Sequence, residues 1–321
     1  MVQESVTASA PSQAFLLGEH AVLYGSPALA LSVDRRSYST ASPLEKGNIV
    51  VESELGRYEE RRGKVVGYND DLAKLSEGVK ILLRRYEIDS GVHLRIRSEV
   101  PIGSGMASSA SVAAAVSKSI DGLFDLGLNE KELLEAVYAF EKIIHGKASK
   151  TGPACAVLGG VIWVEWVGEE MRAGGLGYME VPITIACTGE PSPTKQMVES
   201  VARLRDMIPS AHTSIVRAIS EIVGRGRVAL REGDLETLGR LMNLNQGLLY
   251  ALGVSSWAIE QLVWAARRKG ALGAKLSGAG GGGCVIVLHE EPDKMAKELG
   301  SIASLAFPVR VAREGVRIER G

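Results

Sequence analysis

The sequence predicts an α+β protein of two domains. The chain has 321 residues, and at about 150 residues per domain this length favours two domains. Hydrophobic residues make up 45% of the chain and charged residues 23%, which is ordinary usage for a protein with a buried core. The predicted strands and helices do not alternate in a regular βαβα order, so a doubly wound sheet is not favoured.

The first half of the chain contains four strand-like runs and three helices. The strands are short apolar or alternating runs bounded by Gly, Pro or charged residues, at 14–17, 28–33, 49–53 and 92–96. A helix is predicted over 70–86, where apolar residues recur at helical spacing from Leu72 to Leu82. A second helix is predicted over 108–126.

The third helix is marked at both ends. Asn129 is a good N-cap, and Glu132 stands where its side chain can complete a capping box. Gly146 is a suitable residue for the C-terminal stop. The helix is therefore predicted between Asn129 and Gly146.

The second half of the chain is richer in helices. Strands are predicted at 159–166 and 181–187, on both sides of a glycine loop within 274–288, and at 309–312. Helices are predicted from apolar periodicity at 195–207, 213–223, 235–252, 257–268 and 293–303. A boundary near residue 180 would divide the chain into domains of residues 1–180 and 181–321.

Composition excludes several classes of protein. Lys plus Arg number 37 and Asp plus Glu 38, and this balance argues against a nucleic-acid partner or a membrane surface. No apolar run is long enough to span a bilayer, and the first ten residues lack the order of a signal peptide. Cys155, Cys187 and Cys284 form no CxxC pair, so they predict buried reduced thiols in a cytoplasmic protein.

The strongest local signal is a glycine loop at residues 101–111, PIGSGMASSAS. It follows a predicted strand and opens a helix, whose first N–H groups and positive dipole end suit a phosphate. Gly103 and Gly105 allow a ligand close to the backbone, and Ser108 and Ser109 add hydroxyls that can reach an oxygen or Mg²⁺. The spacing matches neither a Walker loop nor a dinucleotide fingerprint, and a tight turn before a capped helix is the alternative.

A second glycine loop lies at residues 275–284, KLSGAGGGGC. Five of the six residues from 278 to 283 are glycine, although each glycine costs more entropy on folding than other residues. A loop whose backbone lies against a ligand explains this composition, and a flexible hairpin tip is the alternative.

Two acidic residues with a histidine nearby complete the candidate site. Glu19 and His20 are two polar residues between two apolar predicted strands. They could bind a substrate carboxylate or hydroxyl, and the alternative is a purely structural role. Glu141 and His145 are four residues apart on one helix. The Glu141 carboxylate could bind Mg²⁺ opposite Ser109 or be a solvated helix charge, and a single histidine does not make a zinc site.

Taken in this order, these elements resemble the GHMP family of small-molecule kinases over nearly the whole chain. Residues 10–25, APSQAFLLGEHAVLYG, look like the N-terminal signature of mevalonate kinases, and the two glycine loops match the phosphate loop and C-terminal loop of the family. The resemblance implies the two-domain GHMP kinase fold. Its N-terminal domain is ribosomal protein S5 domain 2-like, its C-terminal domain is ferredoxin-like, and ATP and substrate meet between them.

The resemblance also implies a role for each matching residue. The nucleotide phosphates would lie against Pro101, Gly103, Ser104, Gly105, Met106, Ala107, Ser108 and Ser109. The cofactor Mg²⁺ would be bound by Ser109 and Glu141. A small-molecule acid, the acceptor substrate, would lie against Glu19, His20, Ser277 and Gly278. Relatives include dimers, so a homodimer is possible.

Two positions depart from the family pattern. Gln13 stands where the family usually has Lys, and Gly152 stands where it usually has the catalytic Asp. The spacing to the glycines at 159 and 160 is preserved, so the Asp is replaced rather than displaced by a gap. The usual pair would orient or deprotonate the acceptor hydroxyl, and neither half of it is present.

Another cation could serve the phosphates in this chain. Candidates from polar segments nearby are Lys147, Lys150 and Lys195. We hypothesise that Lys150 serves, because it lies in the segment that normally carries the Asp. The alternative is that Lys150 is a solvated loop charge.

The resemblance implies an ATP- and Mg²⁺-dependent kinase that phosphorylates a hydroxyl of mevalonate. One alternative is a sister GHMP kinase that acts on phosphomevalonate or on the 3-hydroxyl of mevalonate. Another, from a different class, is a catalytically silent homologue that binds nucleotide or metabolite.

Overall fold

Two β-sheets organise the chain, as the α+β prediction requires. The computed structural model describes residues 4–101, 103–146 and 149–320. Its strands are β1 Val6–Leu17, β2 Ala28–Leu44, β3 Asn48–Ser53, β4 Gly56–Arg61, β5 Lys64–Gly67, β6 Gly91–Ser98, β7 Val161–Val167, β8 Glu170–Gly175, β9 Ile183–Cys187, β10 Gly273–Ser277, β11 Cys284–Leu288, β12 Leu305–Val309 and β13 Arg317–Ile318.

The helices cluster after the middle of the chain. They are α1 Asp70–Arg85, α2 Ser108–Phe124, α3 Glu130–His145, α4 Thr151–Leu158, α5 Thr194–Met207, α6 Pro209–Glu232, α7 Leu235–Ala251, α8 Trp257–Arg268 and α9 Pro292–Leu299, with a 3₁₀ turn at Ala21–Tyr24. Among the helices described, none is long and apolar enough to cross a membrane.

The first sheet brings both ends of the chain together. Its strand order is β13-β1-β2-β6-β3-β4-β5, with β7 paired to β2 and β8 to β7. The strand β13 comes from the C-terminal end of the chain and pairs with β1. Both β1 and β2 therefore lie inside the sheet, and most of their side chains are buried.

The second sheet is antiparallel and has the strand order β10-β11-β9-β12. Every residue of β9, β10 and β11 is buried, because helices α7, α8 and α9 pack against these strands. The predicted boundary near residue 180 falls between β8 and β9, which belong to different sheets. The glycine loop predicted at 278–283 connects β10 to β11.

Small side chains let α2 lie close to the first sheet. The helix packs on β1 and β2 and also on α3 and α4, and its residues Ala113, Ala114 and Ala115 are all fully buried. Bulkier residues there would hold the helix axis away from the strands. The start of α2, at Ser108, is thereby fixed against the middle of β1.

The predicted start and stop signals of α3 are confirmed. The Asn129 side chain accepts a hydrogen bond from the Glu132 N–H, and the Glu132 side chain accepts one from the Asn129 N–H. The helix ends at His145 with Gly146 as the C-cap residue at φ 75°, a conformation that glycine adopts without strain.

Several predicted boundaries are wrong. The helix predicted at 213–223 is the middle of α6, the strand predicted at 309–312 lies earlier as β12, and α9 ends before 303. The hairpin β4–β5, the strand β8 and the helix α4 are absent from the prediction. Gly152 and Pro153 argue against a helix in the α4 segment, but Pro153 is its third residue, where the N–H has no partner within the helix.

The prediction of three reduced cysteines is also wrong. Cys187 on β9 and Cys284 on β11 are directly opposite in the antiparallel ladder and form a disulfide, whereas Cys155 is free and buried. A separation of 97 residues gave no sequence signal, because pairing depends on which strands become neighbours. The disulfide ties the strand after the second glycine loop to β9.

Candidate active site

The two glycine loops meet in space. We call residues 101–109 the phosphate loop, of which Ile102 lies outside the described residues, and residues 278–283 the glycine loop. A Cβ added to Gly105 would lie 3.1 Å from the Ser277 carbonyl oxygen, and one added to Gly278 would lie 2.9 Å from the Gly105 carbonyl oxygen. Backbone therefore packs directly on backbone, which explains why glycine is needed at both positions.

Ser192 bridges the same two loops. Its N–H donates to the Gly103 carbonyl at 3.2 Å, and its hydroxyl donates to the Gly280 carbonyl at 2.8 Å. Sequence reasoning did not single out this residue, because it lies in a short connection between β9 and α5 with no motif of its own. Ser192 therefore links the phosphate loop to the glycine loop by hydrogen bonds.

The phosphate loop ends in a conformation suited to an anion. Ala107, the N-cap residue of α2, has φ 53°, and α2 begins at Ser108. The first N–H groups of a helix have no partner within it, so those of Ser108 and Ser109 are directed at the end of the phosphate loop. Within the loop, Ser104 and Met106 are buried.

Ser109 lies beside the two residues predicted on α3. Its hydroxyl is hydrogen-bonded to His145 Nε2 at 3.1 Å, and that nitrogen is 4.0 Å from Glu141 Oε1. The structure thus brings together the predicted Ser109 and Glu141. Glu141 is buried, and its Oε1 atom has no hydrogen-bond partner among the described residues.

The environment of Glu141 is electrostatically unfavourable for a lone carboxylate. Burial raises the pKa of Glu141, and the Ser109 hydroxyl and His145 oppose this rise only in part. No lysine or arginine in the described ranges pairs with it. A buried carboxylate without a cation is costly, so the site is suited to receive one.

The two departures from the family pattern face each other. Gln13, on β1, is buried, and its N–H donates to the Met106 carbonyl at 3.0 Å. A Cβ built on Gly152 would lie 3.8 Å from Gln13 Oε1 and 3.1 Å from the Ala110 Cβ. The Gln13 oxygen has no partner in the part of the chain that is described. The Lys and Asp that the family usually carries would lie side by side at this location, and this chain has neither of them.

A buried ion pair joins β10 to the segment after β1. The Lys275 ammonium donates to a carboxylate oxygen of Glu19, and the two side chains are 0% and 1% exposed. Burial raises the pKa of Glu19 and lowers the pKa of Lys275, while the attraction between them opposes both shifts. Sequence reasoning singled out Glu19 but not Lys275, and the signal for Lys275 was a charged residue inside an otherwise apolar strand.

Three further hydrogen bonds hold residues 15–20 against the second half of the chain. The Phe15 N–H donates to Ser277 Oγ at 2.9 Å, and the Gly18 N–H donates to Asn245 Oδ1 at 3.2 Å. His20 Nε2 donates to the Ala279 carbonyl at 2.8 Å. The predicted substrate residues Glu19, His20, Ser277 and Gly278 are thus gathered next to the phosphate loop.

Two of the three candidate cations, Lys150 and Lys195, are among the described residues. Lys150, immediately before α4, is 3.3 Å from Glu170 through its ammonium and lies over the Tyr138 ring at 5.8 Å. Lys195, on α5, is exposed, and Lys147 lies outside the described residues. The proposed role of Lys150 would require its ammonium to leave Glu170.

Metal ligands in this site are few. Within the described ranges, no group of three or more His, Cys, Asp or Glu side chains is placed to hold a metal ion. Any ion near Ser109 and Glu141 would take its other ligands from phosphate oxygens and water, which is the usual mode for Mg²⁺.

Comparison with known proteins identifies the class. The family model of the GHMP kinases N terminal domain matches residues 73–160, and that of the GHMP kinases C terminal domain matches residues 227–304. The chain belongs to the GHMP kinase family. It is accordingly an ATP-dependent kinase that phosphorylates a hydroxyl group.

Within the GHMP kinase family, the chain is similar to individual mevalonate kinases over nearly its whole length. The chain is 34% identical to the mevalonate kinase of Thermococcus sibiricus, with 98% of each chain covered, and 35% identical to that of Aeropyrum pernix, with 99% of each covered. The crystal structure of the Methanococcus jannaschii mevalonate kinase superposes with a TM-score of 0.81 at 26% identity, covering 95% of this chain and 98% of that one. Within the family, the chain is therefore mevalonate kinase-like.

Proposed function

We propose that this enzyme transfers the γ-phosphoryl group of ATP to a hydroxyl of mevalonate in the presence of Mg²⁺. The observation that carries the proposal is the meeting of the phosphate loop and the glycine loop beside Glu19 and His20. The relatives that are about one-third identical to this chain are named mevalonate kinase, which supports the choice of acceptor.

The phosphate loop supplies most of what phosphoryl transfer needs. Transfer through a loose transition state depends mainly on positioning the phosphates and stabilising their charge. The free N–H groups at the start of α2 and its dipole provide both without a charged side chain. Residues 103–109 would bind the β- and γ-phosphates, and Gly278 would limit the cleft on the opposite side.

Ser109 and Glu141 fit a magnesium ion. The buried Glu141 Oε1 lacks a partner among the described residues, and oxygen atoms are the ligands that Mg²⁺ prefers. The ion would neutralise the charge that develops between the β- and γ-phosphates. Ser109 would then exchange its hydrogen bond with His145 for a place beside the phosphates, while Glu141 would become a paired carboxylate.

The acceptor would bind against residues 18–20 and 277–278. His20 and the backbone of Gly278 offer polar groups for a hydroxyl or carboxylate. The Glu19 carboxylate is engaged with Lys275, so Glu19 would hold this segment in place and contact the substrate through its remaining oxygen. Lys150 stays a candidate for binding the phosphates, provided that it separates from Glu170.

The test is a screen for ADP release with mevalonate, its 5-phosphate and several sugars as acceptors. The phosphorylated position is then read by phosphorus NMR. We expect ADP with mevalonate and a product phosphorylated on a primary hydroxyl. Release of ADP with a sugar only would contradict the proposed acceptor.

A second function is favoured by one specific observation. Gln13 and Gly152 replace the usual pair at a single location, so the acceptor hydroxyl is handled differently from the family pattern. The enzyme could then act on phosphomevalonate or on the 3-hydroxyl of mevalonate. The same screen decides, because the NMR spectrum distinguishes a tertiary from a primary phosphate ester. Nucleotide binding without ADP from any acceptor would indicate the silent homologue.

A further inference from the structure

The imidazole of His20 is held in one tautomer. Its Nε2 atom lies 2.8 Å from the Ala279 carbonyl oxygen, which can only accept, so Nε2 carries the proton. In a neutral ring the other nitrogen, Nδ1, must then be an acceptor. That Nδ1 atom is buried and has no hydrogen-bond partner in the described part of the chain.

The backbone at His20 is held in an uncommon conformation. His20 has φ 57° and ψ −50°, a region that residues with a Cβ rarely adopt. Such strain persists only where the surrounding structure imposes it, and it is frequent at functional sites. Here the neighbouring contacts impose it, because Gly18, Glu19 and His20 are each bound to the second half of the chain.

We propose that Nδ1 of His20 accepts the proton of the reacting hydroxyl, in place of the acid–base pair that this chain lacks. The inference deepens the proposed function and rests on it. Gln13 cannot take a proton through its amide oxygen, and Gly152 has no side chain. In the acceptor segment at residues 18–20, two buried atoms that can accept a proton lack a partner among the described residues, His20 Nδ1 and Glu19 Oε2, and the Glu19 carboxylate is already paired with Lys275.

The step is balanced within the proposed reaction. The acceptor oxygen attacks the γ-phosphorus, and the bond from that phosphorus to the β–γ bridging oxygen breaks, leaving its electron pair on ADP. The proton of the hydroxyl passes to Nδ1 and gives an imidazolium, which later releases it to solvent. General-base help of this kind typically contributes about 10²–10⁴-fold to the rate.

The surroundings favour the neutral ring before the reaction. Burial lowers the pKa of His20, and the hydrogen bond to Ala279 opposes that shift. The carboxylate of the preceding residue, Glu19, is paired with Lys275. The turn after His20 packs against α6, whose His212 lies edge-on against the Tyr24 ring, and Arg205 with Asp206 lie near that ring.

Two isosteric variants separate the functions of the two ring nitrogens. In His20→Gln, the amide nitrogen occupies the Nε2 position and keeps the bond to Ala279, but no acceptor replaces Nδ1. In His20→Asn, the amide oxygen occupies the Nδ1 position and can accept a hydrogen bond but not a proton. His289→Gln, at the end of β11 remote from the glycine loop, is the control for the substitution itself.

Turnover is measured at saturating mevalonate and ATP, and nucleotide affinity by displacement of a fluorescent ATP analogue. We expect both variants to lose about 10²–10³-fold in kcat while the nucleotide affinity stays within about threefold. Full activity in His20→Gln would overturn the proposal and leave a structural role for the Ala279 contact. Full activity in His20→Asn would also overturn it, because a hydrogen-bond acceptor would then suffice.

A pH profile gives a second readout that a structural role would not move. The base must be unprotonated, so kcat should rise with pH as His20 loses its proton in the substrate complex and then level off, and burial lowers the pKa of His20 in the free enzyme. This acidic limb should disappear in His20→Gln, and its persistence would contradict the proposal. Wild-type protein that forms no product from any acceptor would instead refute the proposed function, which keeps the two failures distinct.

Discussion

The phosphate side of the candidate active site matches the family pattern more fully than the acceptor side does. On the phosphate side, the loop at 101–109, Ser109 and Glu141 match the resemblance, and the structure brings them together. On the acceptor side, Gln13 and Gly152 replace the usual pair at one location. This difference is what we expect if charge stabilisation and proton removal are carried by separate residues, so that one can change while the other is retained.

The largest expected effect concerns the ion pair that supports the acceptor side. Lys275→Met leaves the Glu19 carboxylate buried without a partner, so we expect the free energy of unfolding to fall by about 3–5 kcal/mol. Denaturant unfolding measures this loss. The double variant Glu19→Gln with Lys275→Met should recover most of it, and Lys269→Met, which removes a partly exposed pair with Glu298, should cost less than about 1 kcal/mol. Equal losses from the two single lysine variants would contradict this account.

The next effect concerns the phosphate side. Glu141→Gln removes the buried carboxylate beside Ser109, and we expect kcat/KM to fall by about 10²–10³-fold with a raised requirement for Mg²⁺. Rates across a magnesium titration test this. Glu135→Gln, on the same helix but exposed and paired with Arg85, is the matched control. A loss in the control as large as in Glu141→Gln would mean that helix stability, rather than the metal, is affected.

A smaller effect tests whether the acceptor side can return to the family pattern. The double variant Gln13→Lys with Gly152→Asp restores the two side chains that the family usually carries. Introduced into His20→Gln, it should raise kcat by about 10–100-fold, because an aspartate would again take the proton. The single Gly152→Asp variant should gain less, because its charge would lack a partner; the approach of the new Cβ to that of Ala110, at 3.1 Å, is the same in both variants. No rescue by the pair would show that proton removal is not what the His20 variant lost.

The smallest effect concerns Lys150. If its ammonium serves the phosphates, Lys150→Met should lower kcat by about fivefold, the size of a distant, partly exposed charge contact. Glu170→Gln, which frees the ammonium, should leave the rate unchanged or raise it. A steady-state assay of both variants is sufficient, and an unchanged rate in Lys150→Met would refute this role.

Local sequence signals predicted the parts of the site that are local in the chain. Asn129, Glu132 and Gly146 specify the ends of α3 through contacts a few residues away, and the glycines of both loops report backbone geometry directly. Residues 101–109 and Glu141 were found for this reason, together with the family resemblance.

Features that depend on distant neighbours could not be predicted. The buried Lys275 is paired with Glu19, which is 256 residues away in the chain. Cys187 bonds to Cys284 because β9 and β11 are adjacent strands. Ser192 connects two loops that lie far apart in the sequence. The helix α4 was missed because its Gly-Pro start argues against a helix when its position in the first turn is not known.

The backbone contact between Gly105 and Gly278 has a consequence for how the enzyme can vary. A single methyl group at either position would press on a carbonyl oxygen, so the backbone of one of the two segments would have to shift to make room for it. This contact therefore sets how closely the two loops approach each other, and a side chain at either glycine would widen the cleft between them.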